Sequence, residues 1–221
     1  MRKKRNMYMP KGVLFDFDGV VVDSFESHYS AWSSAFNELF NKEIAPYPKS
    51  HVGKSPRKIA AYFCEQIGKG EQSEELFYLK DKHLELYFKV PNLLSGVIEF
   101  TDYLSTNQIP YGIASNATKL FLKQSIQHLK LNFPVVFGVE DYKKPKPAPE
   151  AYITLARTLG FVKEDFKDLW VFEDSLTGIT AAKSAGMQPI GIISKYSAVE
   201  MKAAGSSKVF KNLKEAFDTL F

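Results

Sequence analysis

The chain has little of what would place it among disulfide-bonded, metal-thiolate or membrane proteins. Cys64 is the only cysteine in 221 residues, so no internal disulfide can form and a reducing cytoplasm is the expected location. Four scattered histidines add no cluster that would suit zinc or iron. No apolar run approaches the ~18 residues of a membrane span, and the basic start is not followed by the apolar core of a signal peptide. The excess of one sign of charge is small too. The formal net charge is +4, and much of the excess sits in Arg2, Lys3, Lys4 and Arg5, within a tail (residues 1–9) that reads as a solvated end. No basic stripe with interleaved aromatics appears, so neither nucleic acid nor membrane is an expected partner. Repeats and low-complexity segments are absent. What remains is an ordinary globular composition, 45% apolar and 24% charged, at a length that suits one domain or a core with a smaller insert.

The stretch from Val13 to Asp23 carries the strongest local signal. Three apolar residues, Val13, Leu14 and Phe15, run straight into an acid, as in a buried strand that opens at its carboxyl end. In an extended chain Asp16 and Asp18 leave on the same side, and Gly19 permits a sharp turn after them. Two adjacent carboxylates repel and lose hydration unless a cation or proton sits between them. Clustered acids at a strand end therefore point to a site.

Beyond that strand the pattern changes to helices only. Asp23 or Ser24 can cap a helix, with Glu26 placed to complete the cap, and Tyr29, Trp32, Ala35, Phe36, Leu39 and Phe40 give it one apolar face. His28 lies near its start, equally open to a bland and a functional reading. Ser55-Pro56 opens a second helix, and a third runs from about Ser73 to Phe88 with Leu76, Leu79, His83 and Tyr87 along one side. A strand followed by helices alone cannot extend a parallel sheet, so residues 25–92 are expected to form a separate helical lobe. From Gly96 onward strands and helices alternate, the rhythm of a doubly wound parallel sheet. Residues 10–24 and 93–221 are assigned to that α/β core, whose ligands belong beyond the carboxyl ends of the strands.

Three further stations fall on that edge. Ser115-Asn116 follows the strand Gly112-Ile113-Ala114, where a hydroxyl and nearby N–H groups can hold phosphate oxygens. Lys144 and Lys146 lie in a proline-stiffened loop, Lys144-Pro145-Lys146-Pro147-Ala148-Pro149-Glu150. The strand Leu169–Phe172 stops at Glu173-Asp174. Carboxylates in this number suit a hard cation such as Mg²⁺.

Asp16-Phe17-Asp18-Gly19-Val20 resembles the first motif of the haloacid dehalogenase-like phosphohydrolase superfamily, and Lys146-Pro147-Ala148-Pro149-Glu150 fits its Lys-Pro-x-Pro-acid pattern in register. The resemblance picks Lys146 over Lys144. It implies a Mg²⁺-dependent phosphohydrolase that acts on a small phosphorylated metabolite through an aspartyl-phosphate. In that scheme Asp16 is the nucleophile and Asp18 the general acid and base. Ser115, Asn116 and Lys146 hold the phosphoryl group. Asp16, the backbone carbonyl of Asp18, and Asp174 bind the metal, and Glu173 helps directly or through water. The helical lobe is then a cap. Asp18 to Asp23, His28, Trp32 and Gly53-Lys54-Ser55 resemble the β-phosphoglucomutase subgroup, which makes His28, Lys54, Ser55 and Arg57 candidate substrate contacts. A phosphatase, as a monomer or weak dimer, is the favoured reading. A sugar-phosphate mutase is the alternative, and a non-catalytic binder of a phosphorylated ligand is the rival from another class.

Overall fold

In the computed structural model, which describes residues 9–46 and 48–221, the apolar run before Asp16 is strand β1 (Gly12–Phe15), buried at every position. The basic run Arg2 to Arg5 lies outside the described residues. In chain order there follow β2 (Val22–Asp23), helices α1 (Phe25–Phe40), α2 (Pro56–Glu65) and α3 (Ser73–Leu86), then β3 (Asn92–Leu93) and α4 (Val97–Thr106). The alternating part continues with β4 (Tyr111–Ala114), α5 (Lys119–His128), β5 (Val136–Phe137), α6 (Glu150–Thr158) and β6 (Leu169–Glu173). It closes with α7 (Leu176–Ser184), β7 (Gln188–Ile192), α8 (Ala198–Ala204), β8 (Lys208–Phe210) and α9 (Leu213–Leu220).

Six of the strands form one parallel sheet in the order β5-β4-β1-β6-β7-β8, so the acid-bearing strand lies in the interior. Val13 is opposite Tyr111 on one side and Trp170 on the other. Alternation along β1 splits the core in two. Val13 and Phe15 face Phe100, Phe121 and Leu220 of the helices on one side. Leu14 faces Tyr152, Leu155 and Ala181 on the other. Both faces are covered, which is why the strands read as continuous apolar runs. The fold is the expected α/β doubly wound sheet with a helical cap.

Helices α1, α2 and α3 close around a core of their own, including Trp32, Phe36, Phe63 and Leu76. The chain enters this lobe through β2 and leaves through β3, which pair antiparallel with Val22 opposite Leu93. Among the described residues no helix is long and apolar enough to cross a membrane.

Several local expectations are corrected. Helix α8 was not anticipated, although Ser197 and Glu200 cap it reciprocally: Ser197 Oγ accepts from Glu200 N at 3.3 Å and Glu200 Oε2 accepts from Ser197 N at 2.8 Å. Ser24 occupies the N-cap position of α1 but its hydroxyl donates to Asp18, and Glu26 completes no capping box. Helix α3 is rotated from the expected face. Leu76, Phe77, Lys80 and Leu84 are its buried residues, while Tyr87 is 69% exposed.

Candidate active site

All four predicted stations meet above the carboxyl edge of the sheet. Asp16 sits just past β1, its N–H bonded to Phe172 O at 2.9 Å and its side chain almost fully buried. Gly19 has φ +78°, and a Cβ there would collide with the Asp174 carboxylate, so the turn and the close approach of the two loops both need glycine. At the end of β6 a Cβ on Gly178 would strike the carboxylate of Glu173, which explains the bare backbone in the first turn of α7.

Lys146 is the hub. Its Nζ donates to Asp16 Oδ1 at 2.8 Å, to Glu173 Oε1 at 2.7 Å and to the Tyr152 hydroxyl at 2.7 Å. Those three partners use all three ammonium protons. Glu173 is saturated as well. Its Oε1 also accepts from Tyr152 at 2.5 Å, and its Oε2 accepts from Ser175 Oγ at 3.0 Å and Ser175 N at 3.2 Å. The lysine loop is stiffened by more than its prolines: Glu150 accepts from the N–H groups of Lys143 and Lys144, at 2.8 and 3.1 Å.

The two acids of the first motif have different surroundings. Burial, with Glu173 next, pushes the Asp16 carboxyl up to about 7, even though Lys146 pulls the other way. Burial also acts to raise Asp18, but the hydrogen bond and charge of His28 and the Ser24 hydroxyl outweigh it and leave Asp18 below the usual carboxylate value. His28 Nε2 lies 3.4 Å from Asp18 Oδ1, and Ser115 Oγ donates weakly to Asp18 Oδ2 at 3.4 Å. Asp174 is pushed well up by burial, Asp16 and Glu173, with a 2.7 Å bond from Ser194 Oγ opposing. Lys146 is held above its ordinary value because Asp16 and Glu173 overcome the effect of burial.

Oxygens of Asp16, Glu173 and Asp174 lie within 4.8 Å of one another. Three buried carboxylates at that spacing, two of them forced towards protonation, form a donor set that suits a small hard cation. The side chain of Asp18 stands apart from this trio, bound instead to Ser24, His28 and Ser115. With both of its oxygens engaged, Glu173 serves this set by holding Lys146 and Ser175 in place.

A cavity of about 400 Å³ opens between the cap lobe and this edge. Asp16, Asp18, Ser115, Asn116, Lys146 and Asp174 line its floor; His28 and Lys54 reach it from the cap. Ser55 and Arg57 do not. Arg57 turns outward to Glu74 and lies over the rings of Phe77 (4.3 Å) and Tyr78 (5.6 Å). Glu173 sits beneath the floor, fully buried. Sequence reasoning missed Lys80, which comes in from α3 with its Nζ 3.1 Å from Asp81 Oδ1 and 5.5 Å from the Trp32 ring centroid. It also missed Ser194, Tyr152 and Ser175. Ser194 lies past the end of β7 on the same edge, and the strand-end rule applied there would have flagged it.

A model of the haloacid dehalogenase-like hydrolase family matches residues 13–192, well over half of the chain. The chain belongs to that family. Among curated proteins this hydrolase is 28% identical to (DL)-glycerol-3-phosphatase 2 of Arabidopsis thaliana over 186 residues, 80% of this chain and 77% of the relative. It is 26% identical to β-phosphoglucomutase of Bacillus subtilis over 193 residues, 82% and 83% of the two chains. A hydrolase from Pseudomonas syringae has the same fold, with a TM-score of 0.81 at 21% identity and coverage of 95% and 97%. The expected class, a haloacid dehalogenase-like phosphatase, stands.

Proposed function

We propose that the hydrolase removes phosphate from a small phosphorylated metabolite in a Mg²⁺-dependent reaction through a phosphoaspartate on Asp16. The observation that carries this reading is the division of labour between neighbouring carboxyls. Asp16 is buried 2.8 Å from the Lys146 ammonium, while Asp18 is held separately by His28 and Ser24. Paired acids in contrasting environments suit contrasting roles.

Asp16 attacks phosphorus in line, and the bond from phosphorus to the leaving oxygen breaks. Asp18, ionised at rest and partly open to the cavity, first takes up a proton from solvent and passes it to that oxygen. Water then enters, Asp18 takes a proton from it, and its oxygen attacks the phosphoaspartate to release phosphate and restore Asp16. Lys146 remains fixed beside the reacting group and balances developing negative charge without moving. Ser115 and the N–H groups after it receive the phosphoryl oxygens. Asp16 and Asp174, with the carbonyl of Asp18 and with Glu173 behind them, would hold the Mg²⁺, which when bound neutralises charge between nucleophile and phosphoryl oxygens. The lone, buried Cys64 suits a reducing cytoplasm.

The mutase reading shares this chemistry and draws support from the β-phosphoglucomutase likeness. Of the cap groups Lys54, Ser55 and Arg57, through which a mutase would hold a distal phosphate, only Lys54 lines the cavity, and Arg57 faces Glu74 outside it. Phosphate release from p-nitrophenyl phosphate and from a panel of sugar, nucleotide and short-acid phosphates, measured with and without Mg²⁺, tests the proposal. Isomer conversion is followed in parallel. Release should require Mg²⁺ and vanish in Asp16→Asn. Release by that variant, or primer-dependent isomerisation of β-glucose 1-phosphate with negligible free phosphate, would overturn it.

A further inference from the structure

Asn116 was expected to orient the phosphoryl group, and its hydrogen bonds point elsewhere. Its Nδ2 donates to Gly53 O at 2.8 Å and to Lys146 O at 3.4 Å. Its Oδ1 accepts from Lys146 N at 3.1 Å, and the Tyr142 hydroxyl, 3.2 Å away, shares its one proton between that oxygen and Ser115 O. A carboxamide has two N–H protons, and here both are spent on backbone carbonyls. No side-chain donor remains for a phosphoryl oxygen. Two of the four bonds clamp the peptide groups of Lys146, and the strongest reaches across the cavity to the cap.

Gly53 lies in the cap segment that docks on the core. Its φ is +79°, and a Cβ would collide with the hydroxyls of Ser175 and Thr177. Around it the Tyr196 hydroxyl donates to Lys49 O at 2.7 Å, Lys49 pairs with Glu200 at 2.7 Å, and Val52 packs on Ile179, Tyr196 and Met201. Ser175, against which Gly53 rests, holds Glu173, and Glu173 holds Lys146. Docking of the Gly53 backbone is therefore connected to the catalytic lysine along two routes, one through Asn116 and one through Ser175 and Glu173.

The geometry points to Asn116 as a positioning residue that ties cap docking to the placement of Lys146, with its side chain taking no part in phosphate binding. The inference rests on the phosphatase reading for its kinetic consequence only. When the cap is seated, the Gly53 carbonyl fixes one amide proton and the rest of the carboxamide locks the Lys146 peptide. When the cap lifts, that anchor is lost and the lysine loop loosens. Full charge stabilisation is thus reserved for the closed, water-excluding state.

The test is a double-substitution cycle with Gly53→Ala and Asn116→Ala, read in two ways. The first readout needs no activity: NMR hydrogen exchange of the Lys146 amide, which is bonded to Asn116 Oδ1. Gly53→Ala displaces the cap by a clash with Ser175 and Thr177, and it should speed exchange at Lys146 by roughly three- to tenfold, the weight of one net hydrogen bond. Because Ser175 also leads to Lys146 through Glu173, the rise counts for Asn116 only where it is absent in the Asn116→Ala background. The second readout is Mg²⁺-supported hydrolysis of p-nitrophenyl phosphate. Each single variant should lower kcat with little change in the inhibition constant of inorganic phosphate, and the double variant should be no worse than the poorer single. Unchanged Lys146 exchange in Gly53→Ala, or additive losses in kcat, would overturn the coupling. A large rise in the phosphate inhibition constant confined to Asn116→Ala would overturn it too, by making Asn116 a direct phosphate ligand. If Asn116→Ala does not fold, Asn116→Asp, which keeps Oδ1 and loses the donor to Gly53 O, takes its place in the cycle. If no substrate is turned over, the phosphatase reading fails while the exchange result still judges the coupling.

Discussion

Withdrawing divalent cations should make the stability of the folded hydrolase depend on pH in a direction opposite to ordinary acid denaturation. Asp16 is buried with Glu173 and Asp174, and its carboxyl rises from 3.8 to about 7 on folding. A group whose folded value is raised contributes stability that is complete below its unfolded value and is lost as the pH climbs through its folded value. For Asp16 the loss spans pH 4 to 7. Moving one carboxyl over that interval corresponds to about 4 kcal/mol. Asp174, raised by the same burial and the same neighbours, adds to the loss. Asp18 is lowered, so its contribution changes only at more acidic pH and does not cancel the trend. Against a total stability of about 5–15 kcal/mol the change is large, and in urea it corresponds to a midpoint lower by about 2 M at pH 8 than at pH 4.5. The assay is urea unfolding across that range in EDTA, repeated with excess Mg²⁺, for the wild type and Asp174→Asn. EDTA should expose the fall, Mg²⁺ should flatten it, and Asp174→Asn in EDTA should start from a shallower slope. A level profile in EDTA, or one unaffected by Mg²⁺, would refute the view that these three carboxylates are a cation site.

Lys146→Ala should lower kcat by about a hundred- to a thousandfold, as expected when one fixed electrostatic stabiliser is lost, whereas Lys144→Ala should change it little; steady-state kinetics on both decides the register of the lysine loop. Arg57→Ala should leave kcat and KM near wild type and cost at most about 1 kcal/mol in a thermal melt, because the pair with Glu74 is solvent-exposed. A tenfold rise in KM would return Arg57 to the substrate. Glu200 is depressed to about 2 by the hydrogen bond from Lys49 and those from Ser197, so the cap-to-core pair with Lys49 should persist well below pH 4.5 and give way only as the pH falls through about 2. An NMR titration of the Glu200 carboxyl with a midpoint near 4.5 would contradict that.

The parts of this protein that were readable in sequence are those with short-range causes. Apolar runs ending in acids gave β1 and β6, and the Pro-x-Pro spacing separated Lys146 from Lys144 once the family pattern was laid over it. What escaped depends on partners distant along the chain. Helix α3 has a lysine on its buried side because Lys80 faces the cavity and Asp81, so apolar periodicity alone misplaces the face towards Leu79 and Tyr87. Ser24 is a good capping residue by type, yet the Asp18 carboxylate is a stronger acceptor for its hydroxyl and draws it away. Arg57 follows Gly53 closely enough to suggest one shared surface, but α2 turns its guanidinium to Glu74. Helix α8 is the exception, since Ser197 and Glu200 announced it locally and the signal was passed over.

Strands β2 and β3 are two residues each, and their pairing brings Asp23 opposite Asn92. The whole segment that roofs the cavity over Asp16 thus enters and exits the core at a single seam. Topologically it is one very long hairpin loop, and a tight turn could replace it without moving any of the six sheet strands. The chemistry belongs to a sheet that the insert never joins. On the proposed function, a different lobe spliced between Asp23 and Asn92 would present a new substrate to the same aspartate, provided that it kept a backbone carbonyl where Gly53 meets Asn116.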